Sequence, residues 1–352
     1  DLSGPVPVFR LEGSLIEIFR AHGRLLKMMQ ALPEYQVKTT SALEYYGNLI
    51  SNRIPSNLLH FWIESFIRYF VQTPILKHTP IEYQRAFTEF ASELNLDSRL
   101  VFNALTLPDT ALRLISMRYT DELNIRLPTS LGCTSVIVNK GTTSAFHGRN
   151  LDYDGVGIWD VNPVILHIVP DEGLAHVAVT TLGIHASGLT GFNEAGLTLG
   201  VHQLTVNDVQ VTGTPVAVIS AEILRLARTI DEAILIVRSF PRTAGWAYVL
   251  SHGRDKAVIE ITATDVVVRR SSDSHFLQTN HVSSRNLMSK QIQYSPGAWL
   301  DSHERAKRIK ELFSSTWQHQ STTVLDVANL LTDRIRSVGA TIDKLDNIQS
   351  VI

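Results

Sequence analysis

A short β-branched run directly after the chain's only cysteine constrains the fold more than any other stretch. Val136-Ile137-Val138 follows Cys133, Asn139-Lys140-Gly141-Thr142 carries turn chemistry, and a strand-like segment runs back from Ser144 to Asp152. Such a hairpin sets its own register. With a three-residue loop at 140–142, Cys133 lies opposite Arg149; a two-residue loop moves its partner to Gly148. Either way a guanidinium stands beside a thiol, and Asp152 extends past the start of the first strand. A cation next to a cysteine favours thiolate, the nucleophilic form.

Gly132 suggests how the thiol loses its proton. Cutting the Gly132–Cys133 bond would leave Cys133 with a free α-amine, whose reference pKa near ~8 suits a general base. Asp152, near the new terminus, would hold the ammonium. Taken alone, a lone cysteine is more often a small buried hydrophobe than a catalyst. The Gly-Cys junction, the opposed arginine and Asp152 reverse that preference.

Cys-Thr-Ser at 133–135 with Gly-Arg-Asn-Leu-Asp-Tyr at 148–153 resembles the N-terminal-nucleophile cysteine amide hydrolases. That superfamily includes choloylglycine hydrolases, penicillin V acylases, acid ceramidase, N-acylethanolamine acid amidase and the isopenicillin N acyltransferases, the last being closest in pattern. Its arginine and aspartate follow the nucleophile by 16 and 19 positions, the spacing of Arg149 and Asp152 from Cys133 here. The resemblance implies an α+β fold, a four-layer αββα sandwich in which the nucleophile starts a central strand. It also implies that residues 1–132 are a pro-segment (the α chain after cleavage) and residues 133–352 the hydrolase domain (the β chain). The strong motifs cover roughly Gly132 to Arg305.

Three further stretches carry the resemblance. Gly191-Phe192-Asn193-Glu194-Ala195-Gly196-Leu197 is similar to the Asn-Glu-x-Gly-Leu element of choloylglycine hydrolases, which implies Asn193 as an oxyanion-hole donor. From the residues alone it is a turn entering a strand. Leu277-Gln278-Thr279-Asn280-His281 is similar to the family's Thr-Asn element, which implies Asn280 at the nucleophile. An amide N–H aimed at a developing oxyanion is worth about 3 kcal/mol; a strand-end asparagine bonded to its own loop is the plainer reading. Asp301-Ser302-His303-Glu304-Arg305 is similar to the family's Asp-Ser-x-x-Arg segment, which implies Arg305 as a second active-site arginine. Without the family, Arg305, Lys307, Arg308 and Lys310 read as a solvated helix face, and Asp301 or Ser302 as an N-cap. His147 falls on the strand face of Arg149, where a neighbouring role is open.

The chain on either side has two textures. Before Gly132 it reads as mostly helical. Ser14 caps a helix from Leu15 to Met28-Met29 with Gly23 as a weak point inside it. Leu58–Val71 has apolar residues at helical spacing, Thr79-Pro80 opens a helix to Leu94, and another covers Asp97–Met117. Asp121–Ser130 reads as an exposed linker. After Gly132, strands are expected at Val164–Val169, His176–Leu182, Gly196–Val201, Trp246–Ser251 and Ala257–Ile261. Helices are expected at Val216–Phe240, Ser302–Phe313 and Thr323–Ser337. Strands grouped apart from helices indicate α+β layering without a βαβ repeat.

Composition excludes several function classes. Hydrophobic residues at 44% and charged residues at 19% over 352 positions suit an ordinary globular core. A net charge of −2 gives no reason to expect nucleic acid or an anionic membrane as partner, and no apolar run is long enough to span a bilayer. The 13 histidines form no His-Glu-x-x-His pattern and there is no Cys-x-x-Cys, so no metal or other cofactor is expected. Nucleophile-elbow, Walker and dinucleotide motifs are absent. The start at Asp1 without methionine, with no Asn-x-Ser/Thr sequon, points towards export to a bacterial periplasm or beyond the cell. Oligomeric state is open, with a homo-oligomer among the possibilities.

The expected activity is hydrolysis of the linear C–N bond of a small N-acyl amide through an acyl-enzyme on Cys133. Cys133, Arg149, Asp152, Asn193, Asn280 and Arg305 form the site, and Gly132–Cys133 is the autocleavage bond. Acyl transfer to an amine acceptor uses the same acyl-enzyme. A catalytically idle relative that binds lipids or acylated ligands is the alternative of a different class.

Overall fold

The computed structural model describes residues 6–39, 65, 68–119, 132–141, 145–152, 157–158, 160–183, 188–293, 296–315, 321–335, 341–344 and 347–352. Two sheets carry the described fold. The smaller has at its centre β2 (Gly132–Val138) and β3 (Phe146–Asp152), edged by β11 (His275–Gln278) and β12 (Asn347–Val351) in the order β11-β2-β3-β12. The larger runs β1 (Val8–Gly13), β4 (Pro163–Pro170), β5 (His176–Thr181), β6 (Thr190–Asn193), β7 (Leu197–Gln203), β8 (Trp246–His252), β9 (Asp255–Ile261) and β10 (Val266–Arg270). Its β1–β4 pair is parallel; the other neighbours pair antiparallel.

Helices with described bounds in the N-terminal part are α1 (Leu15–Met28), α2 (Thr73–His78), α3 (Ile81–Leu94) and α4 (Ser98–Tyr119), and residues 32–39 are helical as well. Four more follow: α5 (Val216–Leu226), α6 (Ile230–Ser239), α7 (Pro296–Ser315) and α8 (Val324–Leu331). Strand alternation sorts the side chains into layers. Ile137 points between the sheets, where it shares a cluster with Ala247, Val249 and Val258. Val136 and Val138, on the other face of β2, pack with Ile309, Phe313, Leu330 and Leu331 of α7 and α8. On the far face of the larger sheet, Leu199, Val201, Trp246 and Tyr248 meet Ile219 and Ile223 of α5 and Ala233 and Val237 of α6. Helices, sheet, sheet, helices: the αββα sandwich is the observed fold.

The N-terminal part extends that outer helical layer. Phe19, Leu25 and Leu26 of α1 join Phe87 and Phe90 of α3 and Val164, Leu166 and Ile168 of β4 in one core. Gly23 is a contact and no weak point, since a Cβ there would lie 2.9 Å from Glu93 Cγ. Strand β1, absent from the sequence reading, pairs with β4 along Val8–Gly13 and brings the N-terminal residues into the large sheet. Its signal is weak because an edge strand of 6 residues shows little alternation.

Local chemistry explains most boundaries. Ser14 and Glu17 close a capping box on α1, and Thr323 and Asp326 close one on α8. Pro80 itself takes the N-cap position of α3, while Thr79 donates its hydroxyl to Ile75 O. The expected single helix over Val216–Phe240 is two helices, because the chain turns extended at Ala227 and Thr229 caps a new start. Helix α8 stops at Leu331, short of Ser337. Asp121–Ser130 lies outside the described residues, as does most of Leu58–Val71, of which residues 68–71 fall in a π-helical turn. No helix among the described residues is long and apolar enough to cross a membrane.

Asp109 ties the N-terminal part to the sheets. It follows Pro108 inside α4 and is buried. Its carboxylate accepts from Val216 N at 3.1 Å, from Trp246 Nε1 at 3.2 Å and from the Thr243 hydroxyl. Helix α5 has no side-chain cap of its own, so Asp109 supplies one from another helix. Burial pushes its pKa up to about 6, against the lowering effect of those donors. Unfolded Asp titrates near ~3.9, so the carboxyl favours folding at low pH and that contribution is lost as pH rises through 6. Asp109→Ala strands three buried donors, and we expect a loss of about 3 kcal/mol in denaturant unfolding. That loss should be about 1 kcal/mol larger at pH 5 than at pH 8.

Candidate active site

Cys133 is the second residue of β2, a strand buried along its whole length. In the ladder Gly132 faces Asp152, Cys133 faces Leu151 and Ser135 faces Arg149. The expected pairing of Cys133 with Arg149 or Gly148 is therefore corrected. The strands are joined by more than a three-residue loop, and the register moves by two from the Arg149 pairing and by three from the Gly148 pairing. A shift of two keeps every side chain on its face, so Arg149 still reaches the sulfur diagonally, Nη2 to Sγ 3.7 Å.

Arg149 lies between the sheets, 2% exposed. It donates to the Thr190 hydroxyl and to Val201 O, and Nη1 lies 3.5 Å from Gln349 Oε1. Gly200 makes the room: a Cβ there would lie 2.9 Å from Arg149 Cδ. The opposite face of β2 holds a second guanidinium. Arg305 of α7 is fully buried and pairs with Asp301 one turn earlier, Nε and Nη2 to Oδ2 at 3.0 and 2.9 Å. Its Nη1 donates to Cys133 O at 2.7 Å and Thr134 Oγ1 at 2.8 Å, and Nη2 to Asn280 Oδ1 at 3.0 Å. The solvated-face reading of Arg305 does not hold, although Lys307 and Lys310 on the same helix are exposed.

Asn280 follows β11 and meets the backbone of the cysteine. Its Oδ1 accepts from Cys133 N at 2.6 Å, and one Nδ2 hydrogen goes to Gln203 O at 3.1 Å. Ser302 fixes the turn by accepting from Asn280 N at 2.8 Å. Asp152 is buried opposite Gly132, its Oδ2 2.9 Å from the point a Gly132 Cβ would occupy. Asn193 is not brought to this cluster, which corrects the expectation of an oxyanion donor. Its Nδ2 donates to Leu224 O and Ala227 O at 3.0 and 2.7 Å, and its Oδ1 accepts from Leu197 N at 3.1 Å. The amide is spent on the end of α5 and on its own turn, the structural use of such a residue.

Electrostatics reverse one sequence expectation. Burial pushes the Cys133 thiol above its ordinary value; Arg149 and Arg305 pull it down and Asp152 adds to the rise. Nearby guanidinia do not outweigh dehydration. His147 is driven down to about 3 by burial and by Arg149, and its Nδ1 meets Thr198 Oγ1 at 2.8 Å. His202, also held well below its usual range by burial, meets Ser135 Oγ at 2.7 Å. Both rings are neutral at pH 7 and engaged elsewhere than on the sulfur. Residues that the sequence did not single out are Thr190, Gln349, His202 and Lys344; none lies in a motif, and only the fold joins them to the site.

No curated protein sequence matches the chain. Among solved structures, a Caenorhabditis elegans N-acylethanolamine-hydrolyzing acid amidase ortholog matches at TM-score 0.43 and 15% identity, over 57% of this chain and 86% of that one. Penicillin V acylase from Agrobacterium tumefaciens matches at TM-score 0.31 and 15% identity, over 51% of this chain and 57% of that one. A variant of the conjugated bile acid hydrolase from Clostridium perfringens matches at TM-score 0.37 and 14% identity, over 55% and 76%. The sequence profile of the acyl-coenzyme A:6-aminopenicillanic acid acyl-transferase family matches residues 138–347, beginning just after the cysteine. That match spans more than half of the chain, which therefore belongs to this family of N-terminal-nucleophile enzymes and acts in amide acyl chemistry, by hydrolysis or by transfer.

Proposed function

We propose that the chain is a cysteine amidase activated by cutting its own Gly132–Cys133 bond. The observation that carries this reading is the setting of the Cys133 backbone. Its N–H is held 2.6 Å from Asn280 Oδ1 and its carbonyl 2.7 Å from Arg305 Nη1, while the side chain meets Arg149 on the other face. A nitrogen fixed in that way is positioned to become a base. Because burial raises the thiol pKa, the sulfur needs such a base.

In maturation the Cys133 sulfur attacks the Gly132 carbonyl. The C–S bond forms, the C–N bond breaks, and the thiol proton ends on the released nitrogen. Water then hydrolyses the thioester, giving residues 1–132 as an α chain and 133–352 as a β chain. A Cβ at position 132 would lie 2.9 Å from Asp152 Oδ2, so any larger residue at the junction would have to displace that buried carboxylate.

In turnover the Cys133 amine takes the thiol proton and the thiolate attacks a substrate amide. The second Nδ2 hydrogen of Asn280 is available for the oxyanion. The ammonium passes its proton to the leaving nitrogen, and water releases the acyl group. Arg149, Asp152 and Arg305 hold charge and orientation. Beside Asn280 lies a pocket walled by Gln203, Thr205, Gln291 and Trp299, with no charged side chain among its described lining.

Acyl transfer has its own support in the family match. It uses the same thioester with an amine in place of water. Excess amine acceptor added to a turnover assay separates the two: N-acylated acceptor marks transfer, and free acid with an unchanged acceptor marks hydrolysis.

Cys133→Ala is expected to run as one uncut chain in denaturing electrophoresis and to release no amine from a panel of N-acyl amides; retained amidase activity refutes the reading. Asn280→Ala should lower kcat by about 10²-fold or more. Asn193→Ala should lower Tm and leave kcat within a few-fold, and the reverse pattern would restore Asn193 to the site.

A further inference from the structure

Gly132 is hemmed in by charge on the face of β2 away from the thiol. A Cβ built there would lie 2.9 Å from Asp152 Oδ2, 2.9 Å from Lys344 Nζ and 3.3 Å from Arg305 Nη2. Lys344 belongs to the 341–344 segment before β12, and its side chain is 8% exposed. Its ammonium lies 3.7 Å from Asp301 Oδ2. A lysine removed from water in this way needs carboxylates beside it, and here two are at hand: Asp152 from β3 and Asp301 from α7.

On the Gly132 face of β2 the charges pair off before cleavage. Asp152 and Asp301 are negative; Arg305 and Lys344 are positive. Arg149 faces the thiol from the other side of the strand. His202 of β7 and His281 after β11 also border the region, and burial lowers both pKa values, that of His281 to about 3, so neither adds charge at pH 7. Scission adds one more titratable group, the α-amine on Cys133 N. Protonated, it would be a fourth cation beside Arg149, Arg305 and Lys344, against two carboxylates.

We propose that Lys344 is a positioning residue whose ammonium balances Asp152 and Asp301, so that the amine freed at Cys133 stays neutral and serves as the base. This rests on the proposed scission. Without Lys344, one cation fewer would face the two carboxylates, with Arg305 and Arg149 remaining, and the amine would be drawn towards its ammonium form. An ammonium cannot accept the thiol proton. With Lys344 in place, the proton taken from sulfur makes an ammonium that the surrounding cations disfavour, and it is passed on readily to the leaving nitrogen.

The test is the pH dependence of carbamoylation of the Cys133 α-amine by cyanate in mature protein, read by mass spectrometry on the fragment that begins at Cys133. The wild-type midpoint is expected below the ordinary terminal-amine value of ~8. Lys344→Met should raise it by about one pH unit, and Lys344→Arg should leave it at the wild-type value. A lysine with a merely structural role would not move this midpoint. An unchanged midpoint in Lys344→Met overturns the proposal. Should that variant fail to mature, the wild-type midpoint decides: at or above ~8 it overturns the proposal, and below ~8 it supports it. Wild-type protein with no fragment beginning at Cys133 refutes the scission itself, a different failure.

Discussion

The site depends on one buried cation. Arg305 has no contact with solvent, and a guanidinium in that position must spend its N–H groups on acceptors or destabilise the fold. Asp301, one helical turn earlier, supplies the counter-charge. The remaining hydrogens go to Cys133 O, Thr134 Oγ1 and Asn280 Oδ1. Three separate pieces of chain, the start of β2, the turn after β11 and helix α7, are therefore fixed to each other by one side chain. The position of the Cys133 nitrogen follows from that lock. Asn280 Oδ1 serves both Arg305 and the Cys133 N–H.

The part of this arrangement legible in the sequence is the part that is local. Cys133, Arg149 and Asp152 lie on one hairpin, and period-two alternation decides which of them share a face. Of the two expected registers, the one pairing Cys133 with Arg149 was off by two and kept Arg149 on the thiol's face, while the one pairing it with Gly148 was off by three and did not, because only an odd shift exchanges faces. Ser14 announced its helix as an N-cap for the same reason: cap and helix start lie within a few residues. Edge strands such as β1 and β12 gave no comparable signal, since their pairing partners lie far away in sequence.

Tertiary placement decided the rest, in both directions. Asn193 and Asn280 both follow the pattern of a catalytic asparagine, and sequence offers no means of ranking them. The fold does so through what each amide touches: the end of α5 for Asn193, the Cys133 backbone for Asn280. Arg305 sits among basic residues that look like a solvated stripe, and only the packing of α7 over β2 turns that one side chain inward. Lys344 lies in Ile342-Asp343-Lys344, which has no motif character at all. Long-range charge convergence of this kind leaves no spacing rule behind.

Burial of the thiol links these observations. A solvated cysteine flanked by two arginines would ionise readily and need little help. The same cysteine in a dry inter-sheet space has a raised pKa, so its guanidinium neighbours stabilise a thiolate only once something removes the proton. The histidines around it are held neutral by the same dehydration and hydrogen-bond to Thr198 and Ser135. The group best placed to take that proton is the Cys133 nitrogen, and as an amide it has no basicity to offer. Under the proposed scission that amide becomes an amine, and the base appears only with the cut. Under the same proposal, dehydration strengthens every charge interaction at the site once the amine exists.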